Sequence, residues 1–435
     1  MAADTPPTRT ASPPEPPPPL LRQRNFLSLF GGQLISISGE RLTYLAILGL
    51  LAESTAHFQG AARSSLLLWL QGNVMLLPVL FFAPFTGPWV DRWNLKRVMV
   101  ISDTLRAVLV ALMPILYSAT HAVGWVYLLV FLLFTCNVFF LPAKSAITPE
   151  IVPRSHLLLA NALLAGAGVA GTAAGFVGSW IVDHLGWSPA LYLNAVTYLV
   201  SVVSLLLIAY RPVPHGAPPP PVSLRAYTHE VAEGWRLVRG NIRMGIALTA
   251  LGAVWVGGGF LHVAGNQHIA RAAGTLAGSE RVGGLMAVLA IGSAFGTWWV
   301  NTRGRRVPRH VLLGVGLVLS AAGLVAFAVS SRYAVFAGAS LLVGLGAAPA
   351  FVLPETMLQE GTEPGQRGRI FSARDFLMRL VLLVGQSVAA LAVPLVGITG
   401  TLLIAATLMA GVGALAFAMG HRADRDDRAA SPAAP

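Results

Sequence analysis

The 435-residue chain has few charged residues and a single cysteine. Asp, Glu, Lys and Arg together make up 11% of its residues, against about 25% in an average soluble domain. A soluble chain of this length needs far more polar surface to cover its cores, so a wholly soluble protein is excluded. Cys136 has no second cysteine to pair with, which excludes an intramolecular disulfide framework.

Several sequence signatures of chemistry are also missing. The chain has no phosphate-binding Gly-Lys-Ser/Thr loop, no His, Cys and acidic set at metal-ligand spacing, and no Gly-x-Ser-x-Gly nucleophile turn. We therefore expect no enzyme, no direct use of ATP, no bound metal and no cofactor. The proline-rich start lacks the charged-then-apolar order of a signal peptide, and residues 1–24 are predicted to be a disordered tail.

Long apolar runs dominate what remains. Hydrophobic residues are 55% of the chain, and its mean hydropathy is +0.68. A membrane-spanning helix needs about 20 largely apolar residues. Twelve stretches meet that length, and they lie near 26–52, 65–90, 97–118, 122–145, 157–183, 188–210, 243–266, 281–301, 310–330, 333–357, 370–396 and 399–420. The sequence predicts an all-α integral membrane protein with twelve transmembrane helices; a single turn signal at Gly397 separates the last two, so eleven or thirteen remain open.

The net charge of +12 is distributed in a way that indicates topology. Arg and Lys crowd into every second loop and both tails, and the alternate loops hold only Arg63, Arg271, Arg281 and Arg332. Positive charge is retained on the cytoplasmic side of a membrane. We therefore predict an even number of spans, both termini in the cytoplasm, and no nucleic-acid partner.

The chain repeats itself at a period near 210 residues. GPWV at Gly87 followed by DRWNLKR corresponds to GTWWV at Gly296 followed by NTRGRR. FLPAKSAITPEIVPR around Pro142 corresponds to VLPETMLQEGTEPGQRGR around Pro354. The sequence therefore predicts two six-helix bundles, 25–210 and 241–421, which are joined by a cytoplasmic linker with an amphipathic helix, 211–240, and followed by a tail, 422–435. Such repeats are typical of transporters that bind substrate between two bundles and alternate access to it.

The loop after span two carries a family resemblance. Its glycine, Asp-Arg pair, basic pair and following charges are Gly87, Asp91, Arg92, Lys96, Arg97, Asp103 and Arg106. This order resembles the loop motif of the major facilitator superfamily, and the likeness extends from Asn25 to Arg422. The resemblance implies a cytoplasmic gate, in which Asp91 latches onto the start of span eleven near Arg374 and Asp375.

Three stretches resemble the bacterial drug and siderophore exporters of that superfamily. They are GGQLISISGERLTYLAI, LPAKSAITPEIVPRSHLLLANALL and EPGQRGRIFSARDF. Exporters often carry a Gly-Pro motif in span five, whereas Phe176 follows Gly175 here, so the direction of transport stays open. The resemblance implies a monomeric, proton-driven exporter of a small amphipathic molecule in the bacterial cytoplasmic membrane. The alternatives are a carrier of another class (importer, lipid translocator or metal exporter) and a non-transporting receptor or assembly factor on the same scaffold.

Ionisable residues inside spans are costly and are therefore functional candidates. Glu40, in the middle of span one beside Arg41, is predicted either to take up a proton in the cavity or to be a structural carboxylate paired with Arg41 or another arginine. Trp255, His262 and Asn266 in span seven are spaced for one helix face, either a cavity wall or a packing stripe. Thr43 and Asn137 are predicted either to line the cavity or to form a helix-to-helix hydrogen bond, and Arg379 to contact an anionic substrate or Glu40 in the cavity.

Two charged residues occupy equivalent positions at the cytoplasmic ends of spans four and ten. They are Lys144 and Glu355. We predict that they pair across the two halves and help to close the gate; the alternative is that each reaches separate lipid headgroups.

Overall fold

The computed structural model of the protein describes residues 18–55, 61–90, 93–211, 240–273, 279–360 and 367–430, with isolated positions between 228 and 236. Six helices form the first half: α1 Arg24–Thr55, α2 Ala61–Val90, α3 Leu95–Thr120, α4 Val123–Ile151, α5 Leu157–Leu185 and α6 Trp187–Leu206. The second half contains α7 Ile242–Phe260, α8 Asn266–Ala273, α9 Ser279–Thr302, α10 Arg309–Val329, α11 Tyr333–Glu360 and α12 Arg367–Ala430. No strand occurs within these ranges.

Within the described residues, ten helices are long and apolar enough to cross a membrane. The last of them, Arg374–Arg422, has 49 residues and bends at Gly397, whose φ is 75°, so it has the length of two crossings. The apolar α5, with 29 residues, adds another. This reading gives the twelve spans predicted from the sequence. Span seven consists of α7, a π-helical turn Leu261–Gly265 and α8; α9, α10 and α11 are spans eight to ten, and the arms of α12 are spans eleven and twelve.

The two halves repeat one packing pattern. Span one packs against spans five and six, and span seven packs against spans eleven and twelve. Spans three and four are neighbours, as are spans nine and ten, and spans two and eight each contact the fourth helix of their own half. The halves meet mainly where span two contacts span eleven and where span five contacts span eight. This arrangement is the pair of six-helix bundles that the 210-residue repeat predicts.

Polar caps and glycines set the sharp turns between helices. The Asn94 side chain caps α3 by accepting a hydrogen bond from the backbone N–H of Arg97, and Asn241 caps α7 in the same way. Gly186, with φ 94°, reverses the chain between α5 and α6 within one residue. We call the end of the bundle where α1 begins the inner end, because the positive-inside rule predicts that it faces the cytoplasm.

The N-terminal and C-terminal tails are both shorter than the sequence predicts. Leu20–Arg22 forms a 3-10 turn, and Leu20 is buried with Phe26 and Val152. The Gln23 side chain also contacts the His156 ring at 3.1 Å. The prediction of disorder up to residue 24 is therefore wrong for this stretch, since burial of the leucine stabilises a folded turn. At the other end the helix continues to Ala430, and the predicted amphipathic helix around Trp235 lies outside the described residues.

Candidate substrate cavity and outer seal

A cluster of three charged residues links spans one and three inside the first half. Arg106 Nη1 lies 2.9 Å from Glu40 Oε1, and Arg106 Nη2 lies 2.6 Å from Asp103 Oδ1. The Ser201 hydroxyl of span six donates a hydrogen bond to Asp103 at 2.6 Å. The cluster therefore ties span one to span six through span three, as well as by direct packing.

Aromatic rings enclose the arginine of this cluster. The Arg106 guanidinium lies 4.4 Å from the ring centre of Phe140 and 4.9 Å from that of Tyr198, within cation–π distance. Arg106 and Asp103 are buried, whereas the Glu40 side chain keeps 34% of its surface exposed. Glu40 is thus the carboxylate of the cluster that solvent can reach, and its partner is Arg106, not the neighbouring Arg41.

The cluster corrects the predicted grouping of two gate residues. The sequence placed Asp103 and Arg106 with the inner loop after span two. They lie 8 and 11 residues beyond Leu95, the first residue of α3, which places them about 12 and 17 Å into the helix. Their contacts to Glu40 and Ser201 make them part of the core of the first half.

Two further cations lie near this carboxylate. Lys144, half-buried in span four, is close enough to Glu40 and Arg106 to interact electrostatically with both. Arg41 interacts electrostatically with Tyr44, and its buried Nε has no hydrogen-bond partner. Neither residue forms an ion pair within 4.0 Å with any described carboxylate.

His262 joins the two halves at the other end of the bundle. Its Nδ1 lies 3.1 Å from the hydroxyl of Tyr44 in span one, and its Nε2 lies 2.9 Å from the backbone oxygen of Leu68 in span two. Because a carbonyl only accepts, Nε2 carries the proton and neutral Nδ1 accepts from Tyr44. The Asn266 amide donates to the same hydroxyl at 3.4 Å. Both nitrogens of the ring are therefore used in contacts between the halves.

Two more polar pairs continue this contact. Trp69 Nε1 donates to Ser387 Oγ at 2.8 Å, and Gln267 Nε2 donates to Ser65 Oγ at 2.9 Å. We call the following set the outer seal: Tyr44, Ser65, Leu68, Trp69, His262, Asn266, Gln267 and Ser387. Five hydrogen bonds between described residues of opposite halves are found in it. They place a closed contact between the halves at the outer end.

Glycines allow the halves to approach closely beside the seal. A Cβ on Gly283 of span eight would lie 2.3 Å from Ser179 Oγ and 2.6 Å from the backbone oxygen of Gly175, both in span five. A Cβ on Gly72 of span two would lie 2.6 Å from the amide of Gln386 in span eleven. Side chains at these positions would push the halves apart.

The structure separates the three residues predicted to share one face of span seven. His262 and Asn266 lie together in the seal, but Trp255 packs beside Met378 and Leu358 in a separate apolar cluster. Trp255 lies seven residues before His262 along span seven, about 10.5 Å nearer the inner end, so the two residues have different neighbours. A place for Trp255 in a cavity wall remains a prediction, and its packing in this cluster agrees with the alternative of a packing stripe.

Other predicted cavity residues have different surroundings. Thr43 is buried and accepts a hydrogen bond from Asn194 of span six, so it faces the core of its own half and not the cavity. Asn137 in span four and Arg379 in span eleven are both half-buried. Their role in a cavity remains a prediction.

At the inner end, Glu355 pairs with a residue of its own half and not with the predicted residue of the other half. Glu355 of span ten binds Arg374 of span eleven, and Arg374 also binds Asp375 at 2.8 Å. These three residues belong to the same half, and Lys144 forms no ion pair with Glu355 in this conformation. The predicted pairing is therefore not formed here, because Arg374 already neutralises the Glu355 carboxylate.

The structure describes only some of the remaining predicted gate residues. Lys96 Nζ donates to the backbone oxygens of Leu206 and Ile208, which caps the end of α6. Arg97 is exposed at the first turn of α3, and Gly87 lies near the inner end of α2. Asp91 and Arg92 lie outside the described residues, so the predicted latch stays a prediction.

The sequence of the chain also matches a known protein family. Residues 29–373 match the model of the Major Facilitator Superfamily. The chain belongs to the Major Facilitator Superfamily. Its members are membrane transporters, so this chain is a multi-pass transporter and not an enzyme, as the sequence predicts.

Individual relatives are more distant. The chain is 23% identical to macrolide efflux protein A of Streptococcus pyogenes over 403 residues, covering 88% of this chain and 93% of the relative. It is 29% identical to the MFS-type transporter YvqJ of Bacillus subtilis over 220 residues, which is 50% of each chain. Here this chain spans half the length of its relative.

Solved structures show the same fold. The nucleoside transporter NupG superposes with a TM-score of 0.68 at 15% identity, covering 92% of this chain and 100% of NupG. A bacterial homologue of the human lysosomal transporter Spinster, in an inward-facing and unoccupied conformation, gives a TM-score of 0.65 at 14% identity, covering 92% and 97%.

Sequence reasoning missed several residues of the site. Tyr44 lies one turn beyond Glu40 on a similar face of span one, and this spacing was a usable signal. Tyr198, Phe140 and Ser201 carry no such signal, because aromatic and hydroxyl residues are common in apolar helices. Their importance appears only when the helices are packed around Arg106.

Proposed function

We propose that this transporter exports a small amphipathic molecule in exchange for protons by alternating access. The observation that carries the proposal is the partly exposed Glu40 carboxylate, held at 2.9 Å by a buried arginine in the first half. An ionisable side chain of this kind in the middle of a membrane helix is expensive, and it is a candidate for proton transfer.

The contacts of Glu40 suggest how protonation is felt by the protein. Arg106 has two counter-charges, Glu40 and Asp103. A proton on Glu40 removes one of them and weakens the link between spans one and three. Deprotonated Glu40 then favours one facing state, and protonation from outside promotes release of substrate and resets the carrier.

Export as the direction is supported by a relative. Macrolide efflux protein A resembles this chain over 403 residues, and its name states efflux of one class of drug. With the halves in contact at the outer seal, we propose that the molecule enters from the inner side. Opening of the outer seal and closing of the inner end complete the cycle.

The proposal is tested in proteoliposomes that contain the purified chain. A panel of dyes, drugs, lipids and siderophores is loaded, and flux is recorded under an imposed pH gradient of either sign. Protonated Glu40 is mimicked by Glu40→Gln, and Glu53→Gln serves as a matched control. Glu53 is an exposed carboxylate near the outer end of the same helix, where it accepts a hydrogen bond from Trp187.

Each outcome has a distinct meaning. Export of one panel compound that follows the pH gradient, and that Glu40→Gln uncouples while Glu53→Gln does not, supports the proposal. Uptake coupled to entering protons identifies an importer. Complete absence of flux for all compounds with folded protein favours the non-transporting alternative.

A further inference from the structure

Arg41 differs from its polar neighbours in span one. Glu40 binds Arg106, Thr43 accepts from Asn194, and Tyr44 binds His262. Arg41 has no hydrogen bond or ion pair to any residue that the structure describes, and its Nε is buried. Each neighbour is therefore committed to a protein partner, and the arginine is not.

The position of Arg41 directs it toward the space between the halves. It lies 17 residues beyond Arg24, about 25 Å along α1, which is near the middle of this span. Tyr44, one turn further out and about 60° away around the helix, reaches across to the second half. Arg41 interacts electrostatically with the Tyr44 hydroxyl, so it lies just inside the outer seal.

An arginine in this position stays charged through the whole transport cycle, because its guanidinium is not deprotonated in proteins. While the inner end is open, water in the cavity solvates the charge. When that end closes the water is lost, and an unpaired cation in the apolar interior becomes unfavourable. A bound counter-anion relieves this cost.

The other charges nearby do not supply that anion. Glu40 and Asp103 already share Arg106, and Lys144 adds a second positive charge beside Glu40. Together these four groups are balanced, which leaves Arg41 without compensation. A guanidinium presents a planar set of donors that matches carboxylate or phosphate oxygens.

We infer that Arg41 binds an oxyanion group of the transported molecule, so that the substrate is an amphipathic anion. The inference rests on the proposed function, since it assumes that a molecule is carried between the halves. It names a substrate class that differs from an amphipathic cation. Arg41 would also favour closure of the inner end only when the anion is present.

The binding test uses three dansyl amphiphiles with one tail and different head groups: a carboxylate, its methyl ester and a trimethylammonium. Binding to the full-length chain in nanodiscs is followed by energy transfer from the protein's tryptophans. The wild type is expected to bind the carboxylate at least about 10-fold more tightly than the ester, the size of one charge-assisted hydrogen bond. The Arg41→Gln variant should lose this preference, and Arg41→Lys should retain part of it.

A matched control keeps the result interpretable. Arg332→Gln removes an exposed arginine at the outer end and should leave the preference unchanged. Folding of each variant is checked by its thermal midpoint, and retention by Arg41→Lys shows that the charge itself is needed. Equal binding of the three head groups, tighter binding of the trimethylammonium, or an unchanged preference in Arg41→Gln overturns the inference.

Flux separates this inference from the proposed function. One proton entering against one departing monoanion moves two positive charges inward, whereas exchange for a monocation moves none. An imposed potassium diffusion potential, negative inside, should therefore accelerate carboxylate export. Proton-coupled export of the trimethylammonium alone contradicts the assignment of an anionic substrate but agrees with proton-coupled export. Selective binding of the carboxylate without any coupled flux contradicts only the proposed export.

Discussion

The Arg106 guanidinium of span three binds the Glu40 carboxylate of span one at 2.9 Å, although the two residues lie 66 positions apart. Arg106 also neutralises Asp103, whose side chain is fully buried. The cluster is therefore both a brace inside the first half and the point at which an exposed carboxylate joins it.

Removal of the arginine should destabilise the protein. Arg106→Gln leaves Asp103 as a buried charge without its counter-ion, at a cost of about 3–5 kcal/mol. We expect a clear fall in the thermal midpoint in detergent, with a much smaller one for Arg97→Gln, which removes an exposed arginine of the same helix. Equal midpoints for the two variants would show that Asp103 does not depend on Arg106.

Loss of one hydroxyl should loosen the outer seal. Tyr44→Phe removes the donor to His262 Nδ1 and the acceptor for Asn266 while preserving the ring. In a Cys136→Ala background that carries Ser65→Cys, labelling by a membrane-impermeant thiol reagent from outside should rise several-fold. The control Tyr192→Phe alters an exposed tyrosine of span six and should not change the labelling. Unchanged labelling in Tyr44→Phe contradicts the role of this contact.

A side chain at Gly283 should prevent closure of the outer end. The added atoms of Gly283→Val meet Ser179 and the backbone of Gly175 in span five. We expect a carrier held with its outer end open, high external labelling at Ser65→Cys, and little transport. Gly245→Val is the control, because a Cβ at Gly245 meets no atom within 4 Å. Normal transport by Gly283→Val would show that the halves do not approach here.

Charge exchange at the inner end should distinguish two partners for Glu355. If Arg374 is the functional partner, the double variant Glu355→Arg with Arg374→Glu recovers transport that each single change loses. The pair predicted from the sequence, Lys144→Glu with Glu355→Lys, should show no such recovery. Recovery only in the second pair would show that the cross-half contact forms in another state of the cycle.

The sequence was sufficient for the fold and for single unusual residues. Span lengths, the arginine pattern and the 210-residue repeat predict twelve helices in two bundles, because each signal depends on local composition. Glu40 was found because a carboxylate is conspicuous in an apolar run. Its partner was not, since the contact with Arg106 depends on how spans one and three are rotated against each other.

The other differences concern contacts between helices, which the sequence of one helix does not determine. Trp255 packs beside Met378 of span eleven, and this contact cannot be read from the spacing within span seven. Thr43 was predicted either to line the cavity or to bond a neighbouring helix, and Asn194 of span six provides the second kind of partner. Lys144 was predicted as the partner of Glu355 from the symmetry of the repeat, whereas the structure pairs Glu355 with Arg374 of its own half.

The most direct test of the central claim separates proton coupling from substrate movement in Glu40→Gln. The account predicts that proteoliposomes with this variant lose accumulation driven by a pH gradient but retain exchange of labelled for unlabelled substrate at equal pH, while Glu53→Gln retains both. Accumulation by Glu40→Gln at the wild-type rate and with the wild-type response to pH would contradict the account.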